Sequence, residues 1–288
     1  MAAKAVLSEK AKALHEADVP FERAGMDELA AFAEACAAQA VVSGQRTANA
    51  LGISSAPPDA PGGIGTLGEK TLHSVLKFYC EPDARFHEIK VGGFVADIKR
   101  GDVITEIQTR DFSRFRKKLP AFIRENRVTV VFPVARSKRI IKINEATGEY
   151  SPPRRSPRVG SIYSIIPELY RINMLLKDPA FQSRVSFRTV FLGVDEYRLI
   201  GKATRRSPHG RTCYEKIPTA LYGHFDVASK EDFKKFIPEG LPESFTSLDF
   251  AKAAKIRRGV AQTALNVLTS VGAVTRVGKA GNTIIYNK

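Results

Sequence analysis

The sequence predicts a mixed α/β protein, a sheet of parallel and antiparallel strands flanked by helices, ending in a small unit of two helices and a hairpin. Three observations carry this. Short β-type runs separated by glycine turns lie between residues 86 and 109, an amphipathic helical stretch follows at 111–126, and VTVVFPV at 128–134 is an unbroken apolar run suited to a buried strand. A helix, a short turn and such a strand make an α/β unit.

Residues 1–50 are alanine-rich and helical in pattern, with a break at Val19 and Pro20. A proline-rich linker, Ser54 to Gly65, separates them from the body of the chain. Residues 62–71, GGIGTLGEKT, place Gly63, Gly65 and Gly68 in a GxGxxG pattern one residue away from a phosphate-cradling loop. Such a loop must leave a buried strand, and a lysine must follow its last glycine. Here SSAPPDAP precedes it and Glu69 follows Gly68, so no nucleotide cofactor is expected. The stretch reads instead as a linker ending at a helix start, with Thr66 as N-cap, Glu69 in the first turn, where the helix dipole favours an acid, and the helix running on through 71–79.

FHEIKV, FVADIK and VITEIQT are three strands joined by tight hairpins at Gly92-Gly93 and Arg100-Gly101-Asp102. The helix at 111–126 places Phe112, Phe115, Leu119, Phe122 and Ile123 on one side, with a kink at Pro120. Strands at 128–134 and 136–143, a basic loop in ATGEYSPPRRSPR, a helix at 163–177, a strand at 185–197, a second basic loop at 202–211 and a short helix in EDFKKFIP follow.

The last segment reads as helix (SLDFAKAAKI), helix (RRGVAQTALNVLTSVG) and hairpin (AVTRVGKAGNTIIYN), the parts of a winged helix, whose second helix docks in the DNA major groove. Between Phe245 and Lys288 there are seven basic residues and one acid, Asp249. Arg257, Arg258 and Gln262 start the recognition helix, and Arg276 and Lys279 lie on or beside the wing. A winged helix used for protein contact is the competing reading, because a fold does not name its partner. The expected domains are an N-terminal helical segment and linker at 1–60, a core domain at 61–240 and the winged helix at 241–288.

Charge points the same way. The 288 residues carry 45 Lys and Arg against 30 Asp and Glu, a net +15, and the first sixty residues are net acidic, with five bases and eight acids. Nucleic acid is the partner such a field serves, through phosphate neutralisation. No run approaches a membrane span or a secretory signal, and Cys36, Cys80 and Cys213 are too scattered for disulfides or zinc. A cytoplasmic, nucleoid-associated protein is expected.

Chemistry is expected in the second and third strands, where acids interrupt core-like segments. Asp97 sits among Val95, Ala96 and Ile98, and Glu106 and Gln108 share one strand face. The hairpin between them would make Asp97 and Glu106 neighbours. Two adjacent buried carboxylates repel and cost several kcal/mol to desolvate. A divalent cation relieves that conflict, and Mg²⁺ takes one or two carboxylates with water and phosphate oxygens. Asp102 competes with Asp97 from the same face as Glu106, and a plainer reading pairs both acids with Lys99 or Arg100 on a solvated surface.

Over roughly residues 66–145 these features resemble the restriction-endonuclease-like PD-(D/E)xK nuclease superfamily: a helix bearing Glu69, a strand bearing Asp97, then Glu106-Ile107-Gln108. The resemblance implies an αβββαβ core, Asp97 and Glu106 as ligands to Mg²⁺ or Mn²⁺, Glu69 as a helix-borne acid reaching the metal, and a homodimer where both DNA strands are cut. Ala96 stands where that motif has proline, and Gln108 where it has lysine. A glutamine amide orients water but offsets no charge. Arg110, Arg114, Arg116, Lys117 and Lys118 follow at once, placed to neutralise DNA phosphates. The expected function is metal-dependent DNA cleavage positioned by the winged helix, and the alternative is a non-catalytic DNA-binding regulator on an inactivated nuclease fold.

Overall fold

The computed structural model describes residues 21–50, 71–201 and 211–288. The linker, Thr66, Glu69 and the second basic loop lie outside the described residues. Eleven strands run in the order β1 (Glu22–Arg23), β2 (His87–Val91), β3 (Phe94–Arg100), β4 (Val103–Ile107), β5 (Arg127–Asn144), β6 (Arg154–Arg155), β7 (Val185–Ile200), β8 (Arg211–Val227), β9 (Ser244–Thr246), β10 (Thr275–Ala280) and β11 (Thr283–Asn287) among the described residues. The helices are α1 (Met26–Ala50), α2 (Thr71–Cys80), α3 (Phe112–Phe115), α4 (Leu119–Phe122), α5 (Ile166–Arg171), α6 (Asn173–Leu176), α7 (Pro179–Gln182), α8 (Ser247–Ala253) and α9 (Arg258–Ser270). From α2 to β5 the chain order is the expected α-β-β-β-α-β.

Two compact units interleave along the chain. The first takes in the described parts of Met1–Arg85, Ala135–Gly160 and Phe191–Gly223, and the second Phe86–Val134, Ser161–Val190 and His224–Lys288. Strands β5, β7 and β8 therefore contribute residues to both.

In the first unit the strands run β1-β8-β7-β5, with β6 antiparallel on β5. Helices α1 and α2 pack together. Phe32 meets Tyr79 edge-on at 5.7 Å, and the Ser74 hydroxyl donates to Gln39 Oε1 at 2.7 Å. The Thr71 N–H, an orphan donor at the start of α2, is taken by buried Glu215 Oε1 at 3.2 Å.

In the second unit β2, β3 and β4 form an antiparallel meander and β4 pairs in parallel with β5, so the sheet is mixed. The predicted helix at 111–126 forms as two short turns, α3 and α4, with Pro120 in the first turn of the latter, where its missing N–H costs nothing. Phe112, Phe115, Leu119 and Phe122 are fully buried, whereas Ile123 is only half-buried. The helix expected at 163–177 is likewise broken into a 3-10 turn, α5 and α6.

One further expectation is corrected. The strands read at 128–134 and 136–143 are one, β5, which runs on through Ala135 with Arg136, Lys138 and Arg139 inside it. β8 falls where no element is expected, and it contains Pro218 and Gly223, which interrupt a strand pattern.

At the C-terminus α8 and α9 are followed by the β10–β11 hairpin, and β9 pairs with β11 to complete a three-stranded sheet. Thr246 and Asp249 form a reciprocal capping box at the start of α8. Ala261, Ala264, Leu265 and Leu268 are the buried stripe of α9, which packs on α5 and α6. Phe245 and Phe250 join this core with Tyr163 and Tyr286.

Candidate active site

The β3–β4 hairpin positions the central pair. Ile98 lies opposite Thr105 and Lys99 opposite Ile104, so one further step of this register sets Asp97 against Glu106. Two hydrogen bonds fasten them: the Asp97 backbone N–H donates to Glu106 Oε1 at 3.0 Å, and the Ile107 N–H donates to Asp97 Oδ2 at 2.8 Å. Glu106 is fully buried, in a row with Ile104 on β4 and beside Val130 on β5. Asp97 is half-buried.

A cation comes from outside the sheet. Lys118, at the start of α4, ion-pairs through Nζ with Glu106 Oε2. Its ammonium lies 5.5 Å from the Phe115 ring centroid and 5.6 Å from that of Phe122, a cation–π setting that steers it inward. Gln108 also faces this carboxylate, its Nε2 lying 3.4 Å from Glu106 Oε2.

Burial pushes the Glu106 carboxyl up to about 7, and the neighbouring Asp97 charge adds to the rise, while Lys118 and the Asp97 N–H oppose it. A carboxylate in this setting holds a proton or a cation far more readily than one in water. Asp97 and Glu106 carry hard oxygen donors of the type that Mg²⁺ and Mn²⁺ take, and Glu106 Oε2 is held here by Lys118. Among the described residues no cluster of three or more metal-ligating side chains is gathered, and Glu69 lies outside them.

Asp102, Lys99 and Arg100 have partners other than Glu106. Asp102 is exposed and pairs with Arg127 at 3.2 Å, so it belongs to the turn. Lys99 donates to the Gly101 carbonyl and the Arg100 guanidinium lies 5.0 Å from the Phe86 ring centroid, so neither is the cation found on Glu106.

Of the five cations after β4, Arg110, Arg114, Arg116 and Lys117 are exposed. Lys118 departs from them. Helical spacing carried the signal: Lys118 is three residues after Phe115 and four before Phe122, on their buried face.

At the C-terminus Arg257, Arg258, Gln262, Arg276 and Lys279 are all exposed. Arg258, Gln262 and Asn266 of α9 and Arg276 and Asn282 of the hairpin line one pocket of about 260 Å³. The Arg276 guanidinium donates to Asn266 Oδ1 at 2.6 Å and lies 6.0 Å from the Tyr286 ring centroid, so it is aimed into the pocket from the hairpin.

Fold and site together define a mixed α/β protein that sets two carboxylates and a lysine around one buried point. Residues 70–227, more than half the chain, match a family described as Domain of unknown function (DUF8091), and the chain belongs to that family. An uncharacterized protein of Treponema pallidum (strain Nichols) is 29% identical over 233 residues, covering 78% of this chain and 87% of its own length. No solved structure matches the chain.

Proposed function

We propose that the protein is a metal-dependent deoxyribonuclease that hydrolyses phosphodiester bonds, held on its substrate by its C-terminal helices and hairpin acting as a winged helix. The observation that carries this reading is Glu106, a fully buried carboxylate set against Asp97 and met by Lys118. Ionising a carboxylate buried beside Ile104 and Val130 costs several kcal/mol, and a bound cation would offset that cost.

Asp97 and Glu106 would hold Mg²⁺ or Mn²⁺, with Glu69 as the third acid that the family resemblance implies. The ion, when bound, supplies Lewis-acid stabilisation of the charge that develops on the phosphoryl oxygens. Lys118 supplies the positive charge that Gln108 cannot, reaching Glu106 from a helix rather than from the strand. Gln108 orients water through its amide. Arg110, Arg114, Arg116 and Lys117 hold backbone phosphates beside the site, and Arg257, Arg258, Gln262, Arg276 and Lys279 bind the duplex. Cutting both strands with one such site per chain calls for a homodimer.

A second reading, a non-catalytic DNA-binding regulator, is favoured by Gln108 alone. Incubation with supercoiled, linear and branched DNA in Mg²⁺ or Mn²⁺ separates the two. Nicking that Asp97→Ala and Glu106→Ala both abolish is expected. DNA binding with no cleavage under any of these conditions would establish the regulator.

Among the described residues no helix is long and apolar enough to cross a membrane. A cytoplasmic, nucleoid-associated location accords with the DNA reading and is part of the proposal.

A further inference from the structure

The first unit carries a second basic surface, independent of Asp97 and Glu106. Between Arg136 and Arg158 there are seven basic residues, Arg136, Lys138, Arg139, Lys142, Arg154, Arg155 and Arg158, against Glu145 and Glu149. Pairing of β5 with β6 sets Arg139 directly opposite Arg155 and Ile140 opposite Arg154. Like charges directly opposite one another in an antiparallel pair are destabilising unless something answers them.

Part of the charge is answered within the unit. Arg139 Nε donates to Asp195 Oδ1 at 2.6 Å, and Glu196 takes both Lys138 at 3.0 Å and Arg198 Nε at 2.7 Å. Asp195 and Glu196 are buried, so they fix their partners rather than present acid to solvent. Arg154 and Arg155 are exposed and make no ion pair among the described residues.

Aromatic side chains share the Arg139 face. Tyr150 bridges Ile143, which has the same strand parity as Arg139, and Tyr197 has that of Asp195. The two tyrosine rings meet edge-on at 6.4 Å, and Tyr150 is 48% exposed. A charged edge strand that merely blocks strand addition would explain the arginines. It gives no reason for exposed aromatic surface beside them. Arginines that take phosphates, alternating with rings on which bases stack, are the means by which single strands are bound without sequence preference. A duplex, whose bases are already stacked, has no use for the rings.

We propose that this face is a binding surface for single-stranded nucleic acid, with Arg155 and Arg139 contacting phosphates and Tyr150 stacking on a base. The test is fluorescence anisotropy of the full chain in EDTA, with labelled oligo(dT), oligo(U) and a blunt duplex. The variants are Arg155→Ala, Arg154→Ala as the opposite-face comparison, Tyr150→Ala and Tyr150→Phe. Arg155→Ala should weaken strand binding about fivefold or more and reduce the slope of log K against log salt by about 0.7, one contact, and Arg154→Ala should do less. Tyr150→Ala should weaken it about five- to a hundredfold, and Tyr150→Phe should retain it. Duplex binding should change less than twofold. Loss in either the oligo(dT) or the oligo(U) arm supports the proposal and says which sugar is accepted. Unchanged strand binding in Arg155→Ala, a silent Tyr150→Ala, or an equal loss of duplex binding would overturn it. Because cleavage plays no part in the readout, a chain that never cuts DNA can still pass.

Discussion

Asp97 and Glu106 hold each other's strands: the backbone N–H of Asp97 donates to the Glu106 carboxylate, and the Asp97 carboxylate accepts from the N–H of Ile107, the residue after Glu106. Each acid thereby stiffens the hairpin that positions the other. Removing either side chain leaves a backbone donor without its acceptor, at a cost of about 1–3 kcal/mol if that donor is buried. Asp97→Ala should therefore lower the thermal midpoint measurably, and Asp97→Asn, which keeps a carbonyl oxygen, should lower it less. Differential scanning calorimetry of the two variants checks this.

The buried carboxyl of Glu106 predicts a pH dependence of stability. Its ordinary value is 4.5, and the fold raises it to about 7. Below 4.5 the group is protonated in both folded and unfolded chains and costs nothing. Between 4.5 and 7 the unfolded chain releases the proton while the folded one retains it, so stability falls as pH rises; above 7 the full cost applies. The cost is on the order of 3 kcal/mol. Glu106→Gln lacks this titration, so its stability relative to wild type should rise by about that amount across the window. Urea denaturation at several pH values, without divalent ions, reads the difference directly.

Lys118 should behave unlike its neighbours. Lys118→Met, which keeps the stem between Phe115 and Phe122, should reduce cleavage by about a hundred- to a thousandfold, the scale of losing one donor to developing charge. Arg116→Ala and Lys117→Ala should chiefly weaken DNA binding, each lowering the salt slope by about 0.9 if it contacts a duplex phosphate. Single-turnover rates beside salt-dependent affinities separate the two behaviours.

For the C-terminal unit, Arg257→Ala with Arg258→Ala should weaken duplex binding and flatten its salt dependence. Arg276→Ala should weaken it too, since that guanidinium points into the pocket shared with Arg258 and Gln262. Thr246→Ala instead removes half a capping box and should cost about 1 kcal/mol of stability. Unchanged duplex affinity in the arginine variants would assign this unit to protein contact.

Much of the second unit was legible because its signals are local. Gly92-Gly93 and Gly101 mark the two hairpins, and once the second is fixed, strand parity alone brings Asp97 to Glu106. The apolar spacing of Phe112, Phe115, Leu119 and Phe122 gave the helical face. Lys118 is harder to read because charge masks its spacing: at the end of RFRKK it resembles its exposed neighbours. Three further features escaped. β8 contains Pro218 and Gly223, β5 carries Arg136, Lys138 and Arg139 in its middle, and the two units share long strands that no local pattern divides. The pairing of Arg139 with Arg155 belongs to this class, since a two-residue strand between prolines has no periodicity to read.

Whether Asp97 and Glu106 form a divalent-cation site is read directly by an electron paramagnetic resonance titration of Mn²⁺ into the full chain without DNA. Saturable binding to wild type at neutral pH is expected, lost in Asp97→Asn and in Glu106→Gln while both variants keep a cooperative thermal transition. Equal Mn²⁺ binding by wild type and both folded variants, or none by wild type in the presence or absence of DNA, would contradict it.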